Sequence, residues 1–245
     1  MKIIDTHCHL GVSNLSGLTI TEHDLLRSME ENGVMTSLVM PHAVTDNAID
    51  EHDKVARLCQ KYPGRFFGIV NLSPHWKETE YWNEVSRCIN ELNFVAIKLN
   101  PMQHLVSPMW QKANKVFDTA SQLKVPVIIH TGPGVPWSLP SLTIPQALRK
   151  PDLPIILAHA GYGIYTAEAQ VAAQVCNNIF LEPSWCTVDG LEGLIHSVGA
   201  DRIMLGSDQP MNLPVELVKY KSANLSDQEL NQCFYKTAQK IFNIF

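Results

Sequence analysis

The sequence lacks the features that mark membrane, exported and nucleic-acid-binding proteins. Its longest apolar runs, such as residues 154–158, are far shorter than the roughly 18 residues that cross a bilayer. Lys2 and Asp5 interrupt the apolar stretch that a secretory signal would need at the start of the chain. The 19 Lys and Arg residues against 24 Asp and Glu give a formal charge of −5, which offers no general attraction to phosphate or anionic lipid. We therefore expect no membrane or nucleic-acid partner.

Charge and paired cysteines are also scarce. Charged residues make up 18% and hydrophobic residues 45% of the chain, which excludes disorder and favours a large interior. The six cysteines form no Cys-x-x-Cys pair, so we expect reduced core cysteines in a cytoplasmic protein. A length of 245 residues suits two small domains or one α/β barrel. Because no linker divides the chain, we expect one domain over residues 1–245, and a homo-oligomer remains open.

Short apolar runs alternate with segments of helical periodicity along the whole chain. The runs end about 23 to 34 residues apart, which is the period of a strand–helix unit. They are nearly continuous in apolar residues, as expected of parallel strands covered on both faces. This pattern predicts an α/β fold, a single (β/α)8 TIM barrel, with an open doubly wound sheet as the alternative. The eight runs end near residues 7, 41, 71, 99, 130, 159, 182 and 207.

Two helices carry clear boundary signals. Thr21 precedes an apolar stripe and suits an N-cap, and Gly33 suits the end of that helix. Near the end of the chain, Ser226 and Glu229 form a capping-box pattern. An apolar stripe after it predicts one helix that continues to Ile241.

Residues that commonly bind metals end four of the runs. His7 and His9 end the first, and strand alternation places both imidazoles on one side while Cys8 faces the helices. Three later runs end in His130, His159 and Asp208. A barrel collects the carboxyl ends of its strands at one mouth, and a buried aspartate is rare unless it is paired or metal-bound. The pattern therefore predicts a metal site at that mouth.

As a set, these motifs resemble those of the amidohydrolase superfamily, in the branch that includes aminocarboxymuconate-semialdehyde decarboxylase. The resemblance extends over the whole chain and rests on His-x-His after the first run, His after the fifth and sixth, and Asp after the eighth. It implies one divalent metal, expected to be zinc, with His159 facing the metal-bound water. The ligands that it implies are His7, His9, His130 and Asp208.

Lys98 ends the fourth run and leaves three interpretations open. Other branches of the superfamily carry a carboxylated lysine at this strand end, which would bring a second metal held by Lys98 and His159. Alternatively, the lysine pairs with a carboxylate at the rim, or its ammonium group binds a substrate carboxylate.

Neutral imidazoles and one carboxylate suit a catalytic zinc site. Its open coordination position holds a water molecule whose pKa falls to about 7. We expect Asp208 to act as general base and His159 to stabilise developing negative charge, so that a small-molecule C–N or C–O bond is hydrolysed. The substrate would be an amide, lactone or ester. The alternative is a non-oxidative decarboxylase of a small unsaturated or aromatic carboxylate. A third interpretation is a barrel that binds metal or ligand without turnover.

Other residues follow the runs in loops that would line the mouth. Each of them either contacts substrate or is an ordinary loop residue, and the second is favoured for each one alone. These residues are His42, His104, Trp137, Glu182 and Trp185. Four histidines in helical or connecting segments are expected at the surface, namely His23, His52, His75 and His196. The glycine- and proline-rich residues 131–136 predict a shaped loop over the site without the pattern of a phosphate-binding loop.

Overall fold

The structure is a computed structural model, and it describes residues 1–133 and 136–245. An eight-stranded sheet has the order β2-β1-β3-β4-β5-β6-β7-β8. All neighbouring pairs are parallel except β1 and β2, which form an antiparallel hairpin. The order follows the chain without the reversal of a doubly wound sheet. The strands are β1 Ile4–Val12, β2 Thr19–Ile20, β3 Thr36–Pro41, β4 Phe66–Asn71, β5 Ala96–Leu99, β6 Val127–His130, β7 Ile155–Ala158 and β8 Ile179–Glu182.

The eighth apolar run differs from the prediction of a regular strand. Residues 203–208 make one isolated parallel bridge from Ile203 to Leu181 of β8, and another from Asp208 to Cys8 of β1. Backbone hydrogen bonds join the same segment to both strands, including Met204 N to Leu181 O at 3.0 Å. Asp208 has a left-handed φ of 66°, so the backbone leaves the extended conformation where the strand would end. The segment still reaches both ends of the parallel sheet.

Helices follow most of the strands, as the βα period predicts. Four precede β6, namely α1 Glu22–Glu31, α2 Ala48–Lys61, α3 Glu78–Asn90 and α4 Gln111–Leu123. The others are α5 Ile144–Arg149, α6 Thr166–Val175, α7 Val188–Val198, α8 Leu213–Ser222, α9 Asp227–Asn231 and α10 Thr237–Phe242. Among the described residues, no helix is both long and apolar enough to cross a membrane.

The predicted caps are confirmed. Thr21 caps α1 in a capping box with Asp24, and Ser226 forms a capping box with Glu229 at the start of α9. The chain stays helical from α9 to α10 as predicted, but a π-helical turn at Gln232–Lys236 lies between them. A π turn adds a residue to the helical repeat, which sequence periodicity alone does not reveal.

Apolar side chains form two cores on opposite faces of the sheet. The larger lies between the sheet and the helices and includes Cys8, as strand alternation predicted. The smaller includes Ile4, Ile128 and Met204 together with Phe242 of α10. All six cysteines are free, and all except the half-buried Cys59 are buried. The smaller core holds together the strands whose carboxyl ends carry the polar residues.

Two expectations need comment here. His52 was expected at the surface, but it is fully buried in α2 because it pairs with Glu84 of α3. The other three histidines of that group are exposed. The loop predicted over residues 131–136 includes Gly134 and Val135, which lie outside the described residues.

Candidate metal centre

Two histidines and an aspartate meet at the carboxyl end of the sheet. His7 Nε2 lies 3.4 Å and His9 Nε2 3.5 Å from Asp208 Oδ1. One ligand atom from each residue lies within 4.8 Å of the other two. They line a cavity of about 180 Å³, which we call the metal pocket. Its other lining residues include His42, Lys98, Asn100, Gln103, His130, His159, Tyr162 and Gln209.

His130 and Lys98 line the same pocket, but Lys98 contacts His7 directly, whereas His130 packs against His159. Lys98 is buried, with Nζ 3.1 Å from His7 Nε2. The His130 ring packs against His159, with centroids 4.9 Å apart, and its Nε2 is 3.5 Å from the carbonyl oxygen of Pro133. In the described part of the chain, His130 therefore falls outside the compact three-atom group. The structure brings the six predicted metal-site residues to one cavity, with His7, His9 and Asp208 closest together; these six are His7, His9, Lys98, His130, His159 and Asp208.

A four-residue segment that begins at the last residue of β8 contacts three of these side chains. Glu182 Oε2 lies 2.8 Å from His7 Nδ1, and Ser184 Oγ lies 2.7 Å from His159 Nδ1. The indole Nε1–H of Trp185 donates to Asp208 Oδ2 at 3.0 Å. Residues 182–185 thus hold side chains that come from three other parts of the sheet.

These hydrogen bonds assign the ring protons of two histidines. Ser184 Oγ donates to Glu182 Oε2 at 3.1 Å, so it accepts from His159 Nδ1–H. Glu182 likewise accepts from His7 Nδ1–H. In the neutral rings, Nε2 then carries a lone pair toward the pocket. In this tautomer, a neutral His159 offers Nε2 as an acceptor or a metal ligand, and its expected role of stabilising negative charge stays a prediction.

The segment 182–185 has its own supports. Glu216 of α8 accepts from the backbone N of Trp185 at 2.9 Å, and Lys219 donates to the carbonyl oxygen of Pro183 at 2.6 Å. A Cβ placed on Gly206 would lie 2.5 Å from Cδ of Glu182, so only glycine leaves room for this carboxylate. The position of Glu182 is thus fixed from two sides.

Asp5 ties β1 to the segment that carries Asp208. Its Oδ1 accepts from the backbone N of Ser207 at 2.9 Å, and its Oδ2 accepts from Ser207 Oγ at 2.6 Å. Burial raises the pKa of Asp5 to about 7. These bonds hold His7 and Asp208 at a fixed separation across the ends of the sheet.

Burial and charge set the protonation of the pocket. Burial opposes ionisation of Asp208, but the surrounding imidazoles of His159, His9 and His7 hold its pKa well below the usual range. Burial, together with the charge of Lys98, lowers the pKa of His130 to about 4 and that of His7 well below its usual value. Burial also lowers the pKa of Lys98 to about 8. At neutral pH the pocket therefore holds the Asp208 carboxylate and the neutral rings of His7 and His130 beside a lysine that is still mostly charged.

Several residues of the site have strained backbone. His159, Trp185 and Asp208 all have left-handed φ angles, of 66°, 64° and 66°. This conformation costs non-glycine residues about 1 to 3 kcal/mol each and is concentrated at functional sites. The strain aims three side chains into one region, which supports a functional role for the pocket.

The donor set fits a divalent metal ion. Two imidazole nitrogens and one carboxylate oxygen are ligands that zinc and related ions accept. Glu182 occupies His7 Nδ1, so that Nε2 is the nitrogen left for a ligand bond, which is the arrangement that orients metal-binding histidines. His130 and His159 could add further nitrogens from the same pocket.

Sequence reasoning identified some loop residues and missed the roles of others. His42 lines the metal pocket and stacks on His9, with centroids 4.7 Å apart. Trp137 instead packs against Trp110. Ser184 and Asp5 were not singled out, because their contacts join residues distant in the chain and leave no local signal. Their position beside predicted strand ends was the one available hint.

Comparison with known proteins gives one family and a shared fold. A family model described as amidohydrolase matches residues 4–244. An uncharacterised TIM-barrel protein from Bordetella bronchiseptica has a similar structure, with a TM-score of 0.81, 15% identity and 99% of each chain covered. No curated protein matches the chain in sequence.

Two solved enzymes are also similar. A dihydroxybenzoic acid decarboxylase from Polaromonas sp. JS666, solved with manganese and the inhibitor 2-nitroresorcinol, has a TM-score of 0.74 and 18% identity, with 99% of this chain and 97% of that chain covered. A 4-oxalomesaconate hydratase from Rhodopseudomonas palustris has a TM-score of 0.73 and 19% identity, with 98% and 95% covered. At these identities the similarity shows the fold.

Proposed function

The chain belongs to the amidohydrolase family, and from this premise we propose that it is a metal-dependent hydrolase of a small-molecule C–N or C–O bond. The substrate class is an amide, lactone or ester. The observation that carries the proposal is the placement of Asp208 Oδ1 beside the Nε2 atoms of both His7 and His9 in a cavity. An ionised carboxylate in that position can both bind a cation and accept a proton.

His7, His9, His130 and Asp208 are the ligands that we assign to one divalent metal ion, with zinc as the expected ion. A bound metal would supply a Lewis acid that lowers the pKa of water to about 7. If Lys98 is carboxylated, Lys98 and His159 would hold a second ion. We also propose that residues 203–208 complete a closed, single-domain (β/α)8 barrel, since they bond to both β8 and β1.

In this mechanism, Asp208 accepts the proton of the attacking water and returns it to the leaving group. Trp185 holds the carboxylate in place through Oδ2. His159 presents the lone pair of Nε2 to the pocket, so it acts as a second acceptor or as a ligand. Proton transfer by a positioned side chain contributes about 10²-fold to 10⁴-fold to rate.

A non-oxidative decarboxylase is the second candidate, and Lys98 is the observation that favours it. A buried ammonium group that lines the metal pocket suits a substrate that carries a carboxylate. The same pocket could then bind an unsaturated or aromatic acid while a protonated side chain delivers a proton to carbon. The shared fold does not favour either reaction over the other.

The experiment that tests the proposal follows the new oxygen atom. Purified protein with measured metal content is given lactones, amides and aryl or muconate carboxylates in ¹⁸O-labelled water. A hydrolase places label in the product acid, whereas a decarboxylase releases carbon dioxide and adds only a solvent proton. Carbon dioxide release without label would reject hydrolysis, and full metal occupancy without any turnover would favour a non-catalytic barrel.

The Asp208→Asn variant assigns the reaction to this site. We expect turnover to fall by at least about 10²-fold, because both proton transfer and a metal ligand are altered. Asp118→Asn changes an acid that pairs with Arg149 in the helical layer, and it serves as the control with unchanged turnover. Equal turnover of Asp208→Asn and the control would reject the mechanism.

A further inference from the structure

One buried glutamate of α8, Glu216, contacts both segments that hold Asp208. Glu216 Oε1 accepts from the backbone N of Trp185 at 2.9 Å and from Nδ2 of Asn212 at 3.1 Å. The same Asn212 Nδ2 donates at 3.0 Å to the carbonyl oxygen of Ser207, the residue directly before Asp208. The indole Nε1–H of Trp185 donates to Asp208 Oδ2 at 3.0 Å. Together these bonds close a ring around Asp208, which we call the Asp208 clamp.

The clamp holds two positions at which the backbone is strained. Trp185 and Asp208 have left-handed φ angles of 64° and 66°. Such conformations are unfavourable for residues other than glycine and persist only where the surrounding structure imposes them. The clamp bonds the backbone N and the indole of Trp185, and it bonds the carboxylate of Asp208. It therefore keeps the Asp208 side chain in one orientation.

The side chains of α8 are arranged in the reverse of an ordinary surface helix. Glu216 and Lys219 are buried, at 2% and 7% exposure, whereas Val215 and Val218 are each 61% exposed. Lys219 donates to the second oxygen of Glu216 and, at 2.6 Å, to the carbonyl oxygen of Pro183. A buried ion pair is weak evidence for stability, because well-packed apolar residues in its place are often as stable or more stable. A role in the site gives the burial of this pair a reason.

Asn212 directly precedes α8, and its side chain serves the clamp rather than the helix. An asparagine at this N-cap position commonly accepts from a backbone N–H of the first turn, but the Asn212 side chain makes no such bond. Its Nδ2 instead donates to Ser207 O and to Glu216 Oε1. Because both partners are acceptors, only the amide nitrogen suits this position. The side chain thus ties the backbone before Asp208 to α8.

At Asp208, the clamp distinguishes the two carboxylate oxygens. Trp185 binds Oδ2, and Oδ1 lies 3.4 Å from His7 Nε2 and 3.5 Å from His9 Nε2. Rotation of the carboxylate would break the indole bond, so this bond keeps Oδ1 toward the two histidines. Glu216 is not among the described residues that line the metal pocket, so its effect there passes through its partners.

We propose that Glu216 is a positioning residue for Asp208, which keeps Oδ1 toward the metal ion. It acts on the carboxylate through Trp185 and on the preceding backbone through Asn212. This inference rests on the proposed function, because Asp208 is there the metal ligand and the proton acceptor. It extends that function to a residue behind the pocket, whose loss weakens metal binding.

Metal affinity is the first readout. Glu216→Ala removes the acceptor of both arms of the clamp, so we expect the metal dissociation constant of the full-length protein to rise about tenfold, as for other residues that orient metal ligands. Competition with a fluorescent chelator measures it. Glu84→Ala is the matched control, because Glu84 is likewise a buried glutamate with a basic partner, Arg87, and is not among the described lining residues. It should lose stability but bind metal as the wild type does.

The indole proton of Trp185 is the second readout, and it can be recorded with or without metal. In protein with ¹⁵N-labelled tryptophan, this Nε1–H resonance is assigned by its absence in Trp185→Phe. We expect Glu216→Ala to shift it upfield, because the bond to Asp208 weakens, and Glu84→Ala to leave it unchanged. Glu216→Asp keeps the negative charge but withdraws the carboxylate by one methylene group. It should shift the resonance in the same direction, and it provides the test if the alanine variant does not fold.

Trp185→Phe tests the path from Glu216 to the carboxylate. Phenylalanine lacks the indole N–H but keeps an aromatic ring at the position that stacks on Tyr162. If Glu216 acts through Trp185, the loss of metal affinity caused by Trp185→Phe should be smaller in the Glu216→Ala background than in the wild type. Equal losses in the two backgrounds would show that these residues act independently and would overturn the proposal.

The outcomes separate this proposal from the proposed function. An unchanged metal affinity or an unchanged indole resonance in the Glu216 variants would reject the positioning role, even in a protein that hydrolyses its substrate. An equal loss of affinity in Glu84→Ala would also reject it, because the effect would then follow from lower stability alone. Neither readout depends on turnover. Decarboxylation, or no turnover at all, would therefore reject the proposed reaction and leave the positioning of Asp208 standing.

Discussion

Among the described residues, two separate clusters of histidine and acidic side chains bring ligand-type atoms together, and one of them lines a cavity. The first is the metal pocket. The second, which we call the helical cluster, consists of His52, Glu84, Arg87 and Cys88 between α2 and α3. Its His52, Glu84 and Cys88 also place three ligand-type atoms within 4.8 Å of one another. Residue type and proximity therefore do not distinguish the two clusters.

Hydrogen bonding does distinguish them. In the helical cluster, His52 Nδ1 lies 2.8 Å from Glu84 Oε1, and His52 Nε2 accepts from the backbone N of Asn71 at 3.1 Å. Arg87 donates twice to the same carboxylate, at 2.8 and 2.9 Å. Both ring nitrogens are used, so no lone pair remains for a metal. In the metal pocket, by contrast, the Nε2 atoms of His7 and His9 contact Lys98 and Asp208, side chains that line the same cavity.

The largest expected difference between the clusters is in metal binding. Replacing His7 and His9 together by Ala removes two of the three closest ligand atoms, so we expect loss of essentially the whole bound equivalent. His52→Ala should keep full metal content, because neither of its ring nitrogens is free. Elemental analysis after gel filtration measures both variants. Undiminished metal in the double variant would reject the proposed site.

Stability should show the reverse order. His52→Ala breaks two buried hydrogen bonds and leaves a cavity, so we expect the free energy of unfolding to fall by about 3 kcal/mol. His9→Ala should change it by less than about 1 kcal/mol in metal-free protein, because His9 is partly exposed and its Nδ1 has no partner among the described residues. Urea denaturation of the metal-free proteins tests this. Equal losses would show that the clusters do not differ in structural role.

Much of the fold could be predicted from the sequence because its signals are local. Continuous apolar runs predicted seven parallel strands at the observed positions, and Thr21 and Ser226 cap helices as expected. The eighth run is less regular, since residues 203–208 make only two isolated bridges. The positions of His7, His130 and Asp208 in one cavity follow from the shared end of parallel strands.

The remaining features depend on contacts between residues far apart in the chain. His52 looks like a surface residue of an amphipathic helix, and only the approach of Glu84 from α3 explains its burial. The role of Glu182 in β8 depends on its bond to His7 in β1. These two strands lie at opposite ends of the parallel series and are far apart in the chain. The protons of His159 are likewise set by Ser184. A single sequence carries no local signal for such pairs.

Matched substitutions of two buried carboxylates sharpen the comparison further. Glu182→Gln keeps the shape but removes the carboxylate that accepts from His7 Nδ1–H, so we expect metal affinity to fall by about 10-fold to 100-fold. Glu84→Gln removes the carboxylate of the helical cluster and should leave metal affinity unchanged while lowering stability. Competition with a fluorescent chelator measures the affinities. An unchanged affinity in Glu182→Gln would mean that the carboxylate does not tune the site.

The smallest effect is a difference in the pH range over which each region loses stability. Burial lowers the pKa of His104, beside the metal pocket, to about 3, while an unfolded histidine titrates near pH 6.5. Below pH 6.5 the unfolded chain binds a proton that the native ring does not, so stability is fully present above pH 6.5 and falls by up to about 1.4 kcal/mol per pH unit as the pH drops toward 3.

Although burial opposes ionisation of Glu84, its bonds to His52 and Arg87 lower its pKa from 4.5 to about 2, so its contribution is lost only between those values. In metal-free protein we expect His104→Phe to reduce the slope of unfolding free energy against pH between 6.5 and 5 by up to about 1.4 kcal/mol per pH unit, while other buried histidines such as His130 still contribute. Glu84→Gln should leave that range unchanged. Urea denaturation at half-unit pH intervals measures the slopes. If His104→Phe kept the wild-type slope, the native pKa of His104 would not be lowered, and the contrast with the helical cluster would not hold.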